Sequence, residues 1–215
     1  AGLMHPALAV GIAYVAGSIP FAYLAGRALK GIDLRAVGSG NLGATNVFRT
    51  LGPEAGAVVL LLDALKGALP VALLPARHAV ASAGDAMLTL WWGLAIGIAA
   101  IAGHAKPIFL LWKGGGKGVA TAAGVFGALA PAALGIALVA FVGIVWRSRI
   151  VSLASISAAL ILPLAVAFTL GATSPVFAVA CGIGLFVIWS HRTNIQRLRA
   201  GTEPRITRAP REDAR

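Results

Sequence analysis

Long apolar runs, separated by short clusters of glycine and charge, set the pattern of this chain. The first runs from Leu3 to about Leu29, with Pro20 near its end, where proline kinks or breaks a helix. Others run from Ala55 to about Leu74, from Asp85 to about Gly103, from Val119 to Trp146 and from Ile150 to Leu170. A last run begins at Ser174 and Pro175 and ends at Trp189. Most of these match the roughly 20 apolar residues that carry a helix across a bilayer. The pattern therefore predicts an all-α integral membrane protein. Asp63 and Lys66 interrupt the second run at i and i+3, which places them on one helix face. Charges at membrane depth pair or serve a site, so they read either as a structural ion pair or as part of an anion site.

Composition agrees, with 59% hydrophobic residues, 12% charged residues and a mean hydropathy of +0.88. The first run is too long for a signal-peptide core and reads as a retained span. A net charge of +11 suggests nucleic acid in a soluble protein, but in this setting it points to anionic lipid and anionic substrates. Cys181 is the one cysteine, so no intrachain disulfide or cysteine metal cluster forms, and no metal-ligand spacing appears elsewhere.

Charge also orients the chain. Sixteen of the 18 Lys and Arg fall in four segments, 27–49, 106–117, 147–149 and 192–215. The positive-inside rule places all four in the cytoplasm. The chain must then cross an even number of times between Lys117 and Arg147, with only about 28 residues available. Pro131 is expected to turn two short helices of roughly 12–15 residues each, about 18–22 Å long. The rival is one long tilted helix ending outside. The pair gives seven transmembrane helices, with the N-terminus outside and the C-terminus cytoplasmic. Residues 1–206 form one membrane-embedded domain, 75–84 form a short loop carrying Arg77 and His78, and 207–215 read as a disordered basic tail.

The polar stretches carry the chemistry. Gly38-Ser39-Gly40-Asn41-Leu42-Gly43-Ala44-Thr45-Asn46-Val47-Phe48-Arg49 supplies glycine turns, hydroxyls, amides and a cationic fork. A glycine-rich turn entering a helix is an anion site, because free N–H groups and the helix dipole face the ligand. Phosphate is the candidate ligand; the plainer reading is a solvated loop. A second stretch carries His104-Ala105-Lys106-Pro107 and then Lys113-Gly114-Gly115-Gly116-Lys117-Gly118. The third is His191-Arg192-Thr193-Asn194-Ile195-Gln196-Arg197-Leu198-Arg199, followed by Gly201-Thr202-Glu203. If the last helix continues past Trp189, then His191, Asn194 and Arg197 share a face. Ser152, Ser155 and Ser157 read as packing residues. No carboxylate pair or Ser/His/Asp pattern appears. The HxxxxD acyltransferase signature is absent too, because Phe109 and Gln196 stand where its Asp belongs.

These three stretches, in this order, resemble the bacterial acyl-phosphate:glycerol-3-phosphate acyltransferase family, PlsY. Gly17-Ser18-Ile19-Pro20, Asp63-Ala64-Leu65-Lys66-Gly67 and Val151-Ser152-Leu153-Ala154-Ser155 fit as well. The resemblance implies a seven-helix enzyme of the bacterial cytoplasmic (inner) membrane with its active site on the cytoplasmic side. It implies acyl phosphate and glycerol 3-phosphate as substrates, the lipid bilayer as surroundings, no nucleic acid and no cofactor. Lys117 and the Gly114, Gly115, Gly116 and Gly118 backbone, with Ser39, Gly40 and Asn41, would hold one phosphate. Arg49 and Lys66 would hold the other, with Thr45, Asn46, Asn194, Arg197 and Glu203 around the substrates. His191 is the candidate base. The rival is that it only orients substrate while a substrate phosphate takes the proton. His104 contacts substrate or shapes the loop. Two departures stand out: one extra residue between Pro107 and Lys117, most simply a glycine, and Lys106 where an aromatic or apolar residue is expected. A transporter of a small phosphate ester is the alternative function; inverted repeats would mark it, and none is visible.

Overall fold

The computed structural model describes residues 5–74 and 86–206. The start of the first run at Leu3, the loop with Arg77, His78 and Asp85, and the tail at 207–215 lie outside the described residues. Within them every regular element is helical. The first run is α1 (Pro6–Gly17) and α2 (Phe21–Lys30), separated at Ser18–Pro20 as the proline predicts. Gly31, at φ 66°, closes α2 with its N–H on the Arg27 carbonyl. Then come the short amphipathic α3 (Ala44–Leu51), α4 (Pro53–Leu73) and α5 (Ala86–Ala105). After a single 3-10 turn at Ile108–Leu110 follow α6 (Val119–Leu129), α7 (Pro131–Ser148), α8 (Val151–Leu170), α9 (Pro175–Ser190) and α10 (Arg192–Arg199).

Among the described residues, five apolar stretches are long enough to cross a membrane: Pro6–Lys30, Pro53–Leu73, Met87–Leu110, Pro131–Ser148 and Val151–Leu170. The pair α9 and α10, bent by 59°, makes a sixth if taken as one span. The break at Pro131 is where the sequence places it, and it rules out one long helix. The expected pair of equal short helices is corrected, however. Helix α6 has 11 residues, about 16 Å, whereas α7 has 18, about 27 Å. Proline has no N–H to donate and is favoured at the first helical position. The turn therefore falls at Ala130, close to the middle of the run, and α7 is the longer because it continues past Trp146 to Ser148. The last helix also does not run straight through: it bends at His191.

Helix α6 is the hub. It crosses α4 so closely that a Cβ on Gly124 would lie 1.9 Å from the Ala64 carbonyl, and one on Gly67 would lie 2.2 Å from the Thr121 carbonyl. Helices α1 and α5 cross in the same way at Gly17 and Gly103. Lipid supplies no hydrophobic drive between helices, so close backbone contact through small residues holds them together. A second packed block joins α6 to α9 through Leu94, Phe126, Leu162, Val166 and Val176.

Candidate active site

The three polar stretches meet at one end of the bundle, tied together by named bonds. Asn46, 2% exposed, is the clamp of the first. Its Oδ1 accepts the Ser39 N–H at 3.0 Å, and its Nδ2 donates to the carbonyls of Leu34 (3.2 Å) and Val37 (3.1 Å). Gly38 sits at φ +64° with Asn46 Oδ1 2.2 Å from where a Cβ would be, so only glycine fits. The second stretch docks on the first: Leu42 N–H and Asn41 Nδ2 both donate to the Gly115 carbonyl at 3.2 Å. Arg35, forked onto Asp33, donates to the Lys113 carbonyl. Gly114, at φ +94°, takes a conformation that glycine alone adopts without strain.

Behind this loop lies a buried ionic cluster. Lys66 Nζ is 2.7 Å from Asp63 Oδ1, and His104 Nδ1 is 3.5 Å from the same oxygen. Lys66 also donates to the Ile19 carbonyl at the break of the first span. The ring of His104 presses on the loop, for a Cβ on Gly116 would lie 1.8 Å from Nε2.

The third stretch is organised by Glu203, 7% exposed. Its Oε1 accepts from Ser152 Oγ at 2.7 Å and Asn194 Nδ2 at 2.6 Å, and its Oε2 accepts from Arg197 Nε at 2.7 Å. Burial alone raises this carboxyl's pKa, but the three donors outweigh it and hold the pKa below its usual value. Asn194 in turn accepts from Lys117 Nζ. Burial pulls the Lys117 ammonium down to about 8, with Arg197 and Arg49 adding to the fall and Glu203 opposing it. Arg49 Nη2 donates to the Pro204 carbonyl at 3.0 Å, and Ile206 N–H donates to the Arg149 carbonyl at 2.7 Å, so the 203–206 segment straps the site. His191 Nδ1 lies 2.7 Å from the Val187 carbonyl. A carbonyl only accepts, so Nδ1 carries the proton; burial, then the Lys117 charge, pull the ring's pKa down to about 4, which leaves Nε2 as the acceptor.

Between these groups opens a cleft of about 760 Å³, counted out to its mouth. Ser39, Asn41, Thr45, Asn46, Arg49, His104, Lys117, Gly118, His191, Asn194 and Glu203 line it, as the sequence expects them to share one place. Six expected residues do not line it. Gly40 forms a turn at φ +67° beside the Arg35 carbonyl, and Gly114, Gly115 and Gly116 build the loop behind. Arg197 faces Glu203 instead of the cleft. Lys66 lies outside the cleft with its ammonium on Asp63 and the Ile19 carbonyl, the ion-pair arrangement that was one of its two readings. The exposed Lys106 and Lys113 stay out as well. Conversely, Ser152, Ser155 and Asp63 line the cleft, although the sequence reading gave the serines to packing. The signal was present in the match of Val151 to Ser155, where Ser152 and Ser155 are one helical turn apart.

A family model described as Glycerol-3-phosphate acyltransferase matches residues 7–201. The chain belongs to this family. It is 48% identical over 205 residues to the glycerol-3-phosphate acyltransferase of Synechococcus sp. (strain CC9902), covering 95% of this chain and 96% of that one. It is 52% identical over 194 residues to that of Geobacter metallireducens, covering 90% and 94%. Among solved structures it is similar to PlsY, an integral membrane glycerol 3-phosphate acyltransferase. The glycerol 3-phosphate form superposes with a TM-score of 0.82 at 41% identity, covering 94% of this chain and 96% of that one. The lysophosphatidic acid form gives 0.77 at 40% identity, covering 94% and 95%.

Proposed function

We propose that this chain transfers a fatty acyl group from acyl phosphate to the 1-hydroxyl of sn-glycerol 3-phosphate. The products are 1-acylglycerol 3-phosphate (lysophosphatidic acid) and inorganic phosphate, the first acylation in phospholipid synthesis. One observation carries the reading: the polar cleft opens into an apolar groove among α6, α7, α8 and α9. Leu60, Val119, Ala120, Phe141 and Ser155 line both spaces. A phosphate head joined to a fatty tail is the shape of both donor and product. A carrier of small phosphate esters has no use for the tail groove.

Within this reading Arg49 and Lys117 neutralise the two phosphates. Ser39, Asn41 and Thr45 add hydrogen bonds, and the Gly118 backbone lies beside Lys117. The glycerol hydroxyl attacks the acyl carbon, the bond from acyl carbon to phosphate oxygen breaks, and phosphate leaves with the electron pair. His191 Nε2 takes the hydroxyl proton. Fixed positive charge stabilises the negative charge gathering on the departing phosphate. Acyl phosphate is already activated, so the step asks for no cofactor. Glu203 acts through others: it orients Asn194, and Asn194 holds Lys117. His104 supports the glycine loop, and Asp63 and Lys66 support His104.

The same reading makes the chain a seven-crossing protein of the bacterial inner membrane, with α6 as the short crossing. The N-terminus lies outside and the C-terminus in the cytoplasm, with the cleft at the cytoplasmic end. The test is direct. Purified protein given palmitoyl phosphate and glycerol 3-phosphate should form lysophosphatidate and phosphate in equal amounts, and palmitoyl-CoA should give nothing. Product from palmitoyl-CoA, or phosphate without lysophosphatidate, rejects the proposal.

A further inference from the structure

The turn between α5 and the glycine loop is built unlike a solvated loop. Helix α5 has 20 residues, about 30 Å at 1.5 Å per residue, which matches the roughly 30 Å hydrocarbon core. Its end at Ala105 therefore brings Lys106 to the membrane boundary at the cleft end of the bundle. From there the chain does not turn polar. Phe109, Leu111 and Trp112 are 57%, 69% and 55% exposed, while Leu110 turns inward to pack beside Leu34, Leu42 and Val47. The backbone closes on itself: Leu110 N–H and Trp112 N–H donate to the Pro107 carbonyl, Leu111 N–H to Ile108 and Lys113 N–H to Leu110, at 2.9 to 3.2 Å. Trp112 Nε1 donates to the Tyr14 hydroxyl at 2.8 Å, and that hydroxyl donates to the Lys106 carbonyl at 2.8 Å. Polar groups are thus satisfied inside the turn and apolar side chains are presented outside, which is what irregular backbone beside lipid requires. Leu111 and Trp112 sit at φ 50° and 59°, a region in which glycine or asparagine is at ease and a bulky side chain is held at a cost. Charge around the turn is positive. Lys106 and Lys113 flank it, both exposed and, among the described residues, with no partner for either ammonium. Asp33, the carboxylate reached from this loop through Arg35, is taken up by Arg35 and Arg27. Tryptophan and tyrosine settle at headgroup level, and lysines beside them reach anionic headgroups.

We propose that residues 108–112 are an interfacial anchor whose partner is an anionic lipid surface, and that lipid bound there sets the position of the glycine loop. Phe109, Leu111 and Trp112 insert at the boundary of headgroups and acyl chains, and Lys106 and Lys113 lie on anionic headgroups. Only residues 113–116 separate Trp112 from Lys117. Between them Arg35 holds the Lys113 carbonyl and Asn41 holds the Gly115 carbonyl. A turn pinned in the leaflet therefore fixes one end of the segment that presents Lys117 to the cleft. Resting on the acyltransferase reading above, the consequence is that acyl transfer runs faster in a bilayer containing anionic lipid, and that the two lysines outside the cleft carry this response.

The experiment uses the whole protein in phospholipid nanodiscs. Phe109→Cys in a Cys181→Ser background carries an environment-sensitive dye, and a nitroxide quencher is placed either near the top of the lipid acyl chains or on a water-soluble molecule. The lipid nitroxide should quench the dye more strongly than the soluble one. The reverse order overturns the proposal and leaves the patch to a soluble protein. A dye shielded from both also overturns it, since the turn would then be packed against protein. Leu111→Cys gives the same reading if the first variant does not fold. The second measurement is kcat/KM with palmitoyl phosphate and glycerol 3-phosphate, in discs of phosphatidylcholine alone and in discs with added phosphatidylglycerol. The double variant Lys106→Gln, Lys113→Gln should match the wild type in the neutral discs, since neither lysine lines the cleft. With phosphatidylglycerol the ratio of wild type to variant should rise at least about twofold, against a ceiling of about fivefold per lysine, and added salt should remove the difference. The effect of surface charge on the anionic substrates is shared by both proteins and cancels in that ratio. A ratio that is the same in both kinds of disc overturns the proposal. No lysophosphatidate from the wild type in any disc is a different failure: it removes the acyltransferase reading, while the quenching still decides where the turn lies.

Discussion

Lys117 concentrates the chemistry at the scale of single residues. Its ammonium, partly cut off from water, is held by Asn194 and titrates near 8 instead of at the usual lysine value. The sign follows directly: the cation is present below that pH and is lost as pH rises through it. If Lys117 neutralises a substrate phosphate, kcat/KM should fall on an alkaline limb near pH 8, which reports the free enzyme. Lys117→Arg, whose guanidinium stays protonated, should move that limb upward by about a pH unit or more while lowering the maximum, because the fork fits the Asn194 contact less well. A limb at the same pH in both enzymes assigns the titration to another group. Residues of this kind were legible in the sequence because small polar types crowd where the rest is apolar; Ser39, Arg49 and His191 stand out in that way. Lys66 was not legible. Sequence places it one turn from Asp63, but whether an ammonium serves its neighbour or a ligand depends on where the Ile19 carbonyl and the cleft fall in space.

At the scale of elements, the proline and glycine punctuation did most of the work. Ser18–Pro20 and Pro131 break helices where the sequence says they should. The unequal helix lengths around Pro131 come from α7 running on to Ser148, and the bend at His191 has no glycine or proline in the sequence to mark it. The closeness of α4 and α6 is likewise invisible in sequence, because Gly124 and Gly135 look alike there. In the structure they differ: a Cβ on Gly124 meets the Ala64 carbonyl at 1.9 Å, and one on Gly135 meets nothing within 4 Å. Gly124→Ala should therefore force the two helices apart, at a cost of about 1–3 kcal/mol or more. Gly135→Ala should be neutral or stabilise by up to about 1 kcal/mol, since glycine weakens a helix interior. Thermal unfolding in detergent checks both. An equal drop in Tm for the two variants would mean that the α4–α6 crossing is looser than the geometry states.

For the whole molecule, the side of the membrane on which Arg147 lies decides the topology. Helix α7 is 18 residues long and apolar until its last turn, and Arg149 at φ 61° turns the chain straight into α8. The Ile206 N–H reaches the Arg149 carbonyl, so this corner belongs to the same end of the bundle as Glu203 and the cleft. The far end of α7, at Pro131, lies about 27 Å away along the helix axis. In the proposed orientation the positive-inside rule puts Arg147 and Arg149 in the cytoplasm with the three polar stretches. On that proposal α6, though only about 16 Å long, would serve as a full crossing, with the bilayer beside it thinned or filled by neighbouring helices. Single cysteines in a Cys181→Ser background test this in intact cells with a thiol reagent that does not cross membranes. Cysteine at Val37 or Arg147 should react only after the cells are opened, and cysteine at Ala132, exposed at the head of α7, should react from outside. Labelling at 147 from outside would put the two ends of α7 the other way round. It would also separate the Arg149 corner from the cytoplasmic cleft to which Ile206 ties it, and the seven-crossing arrangement would fall with it.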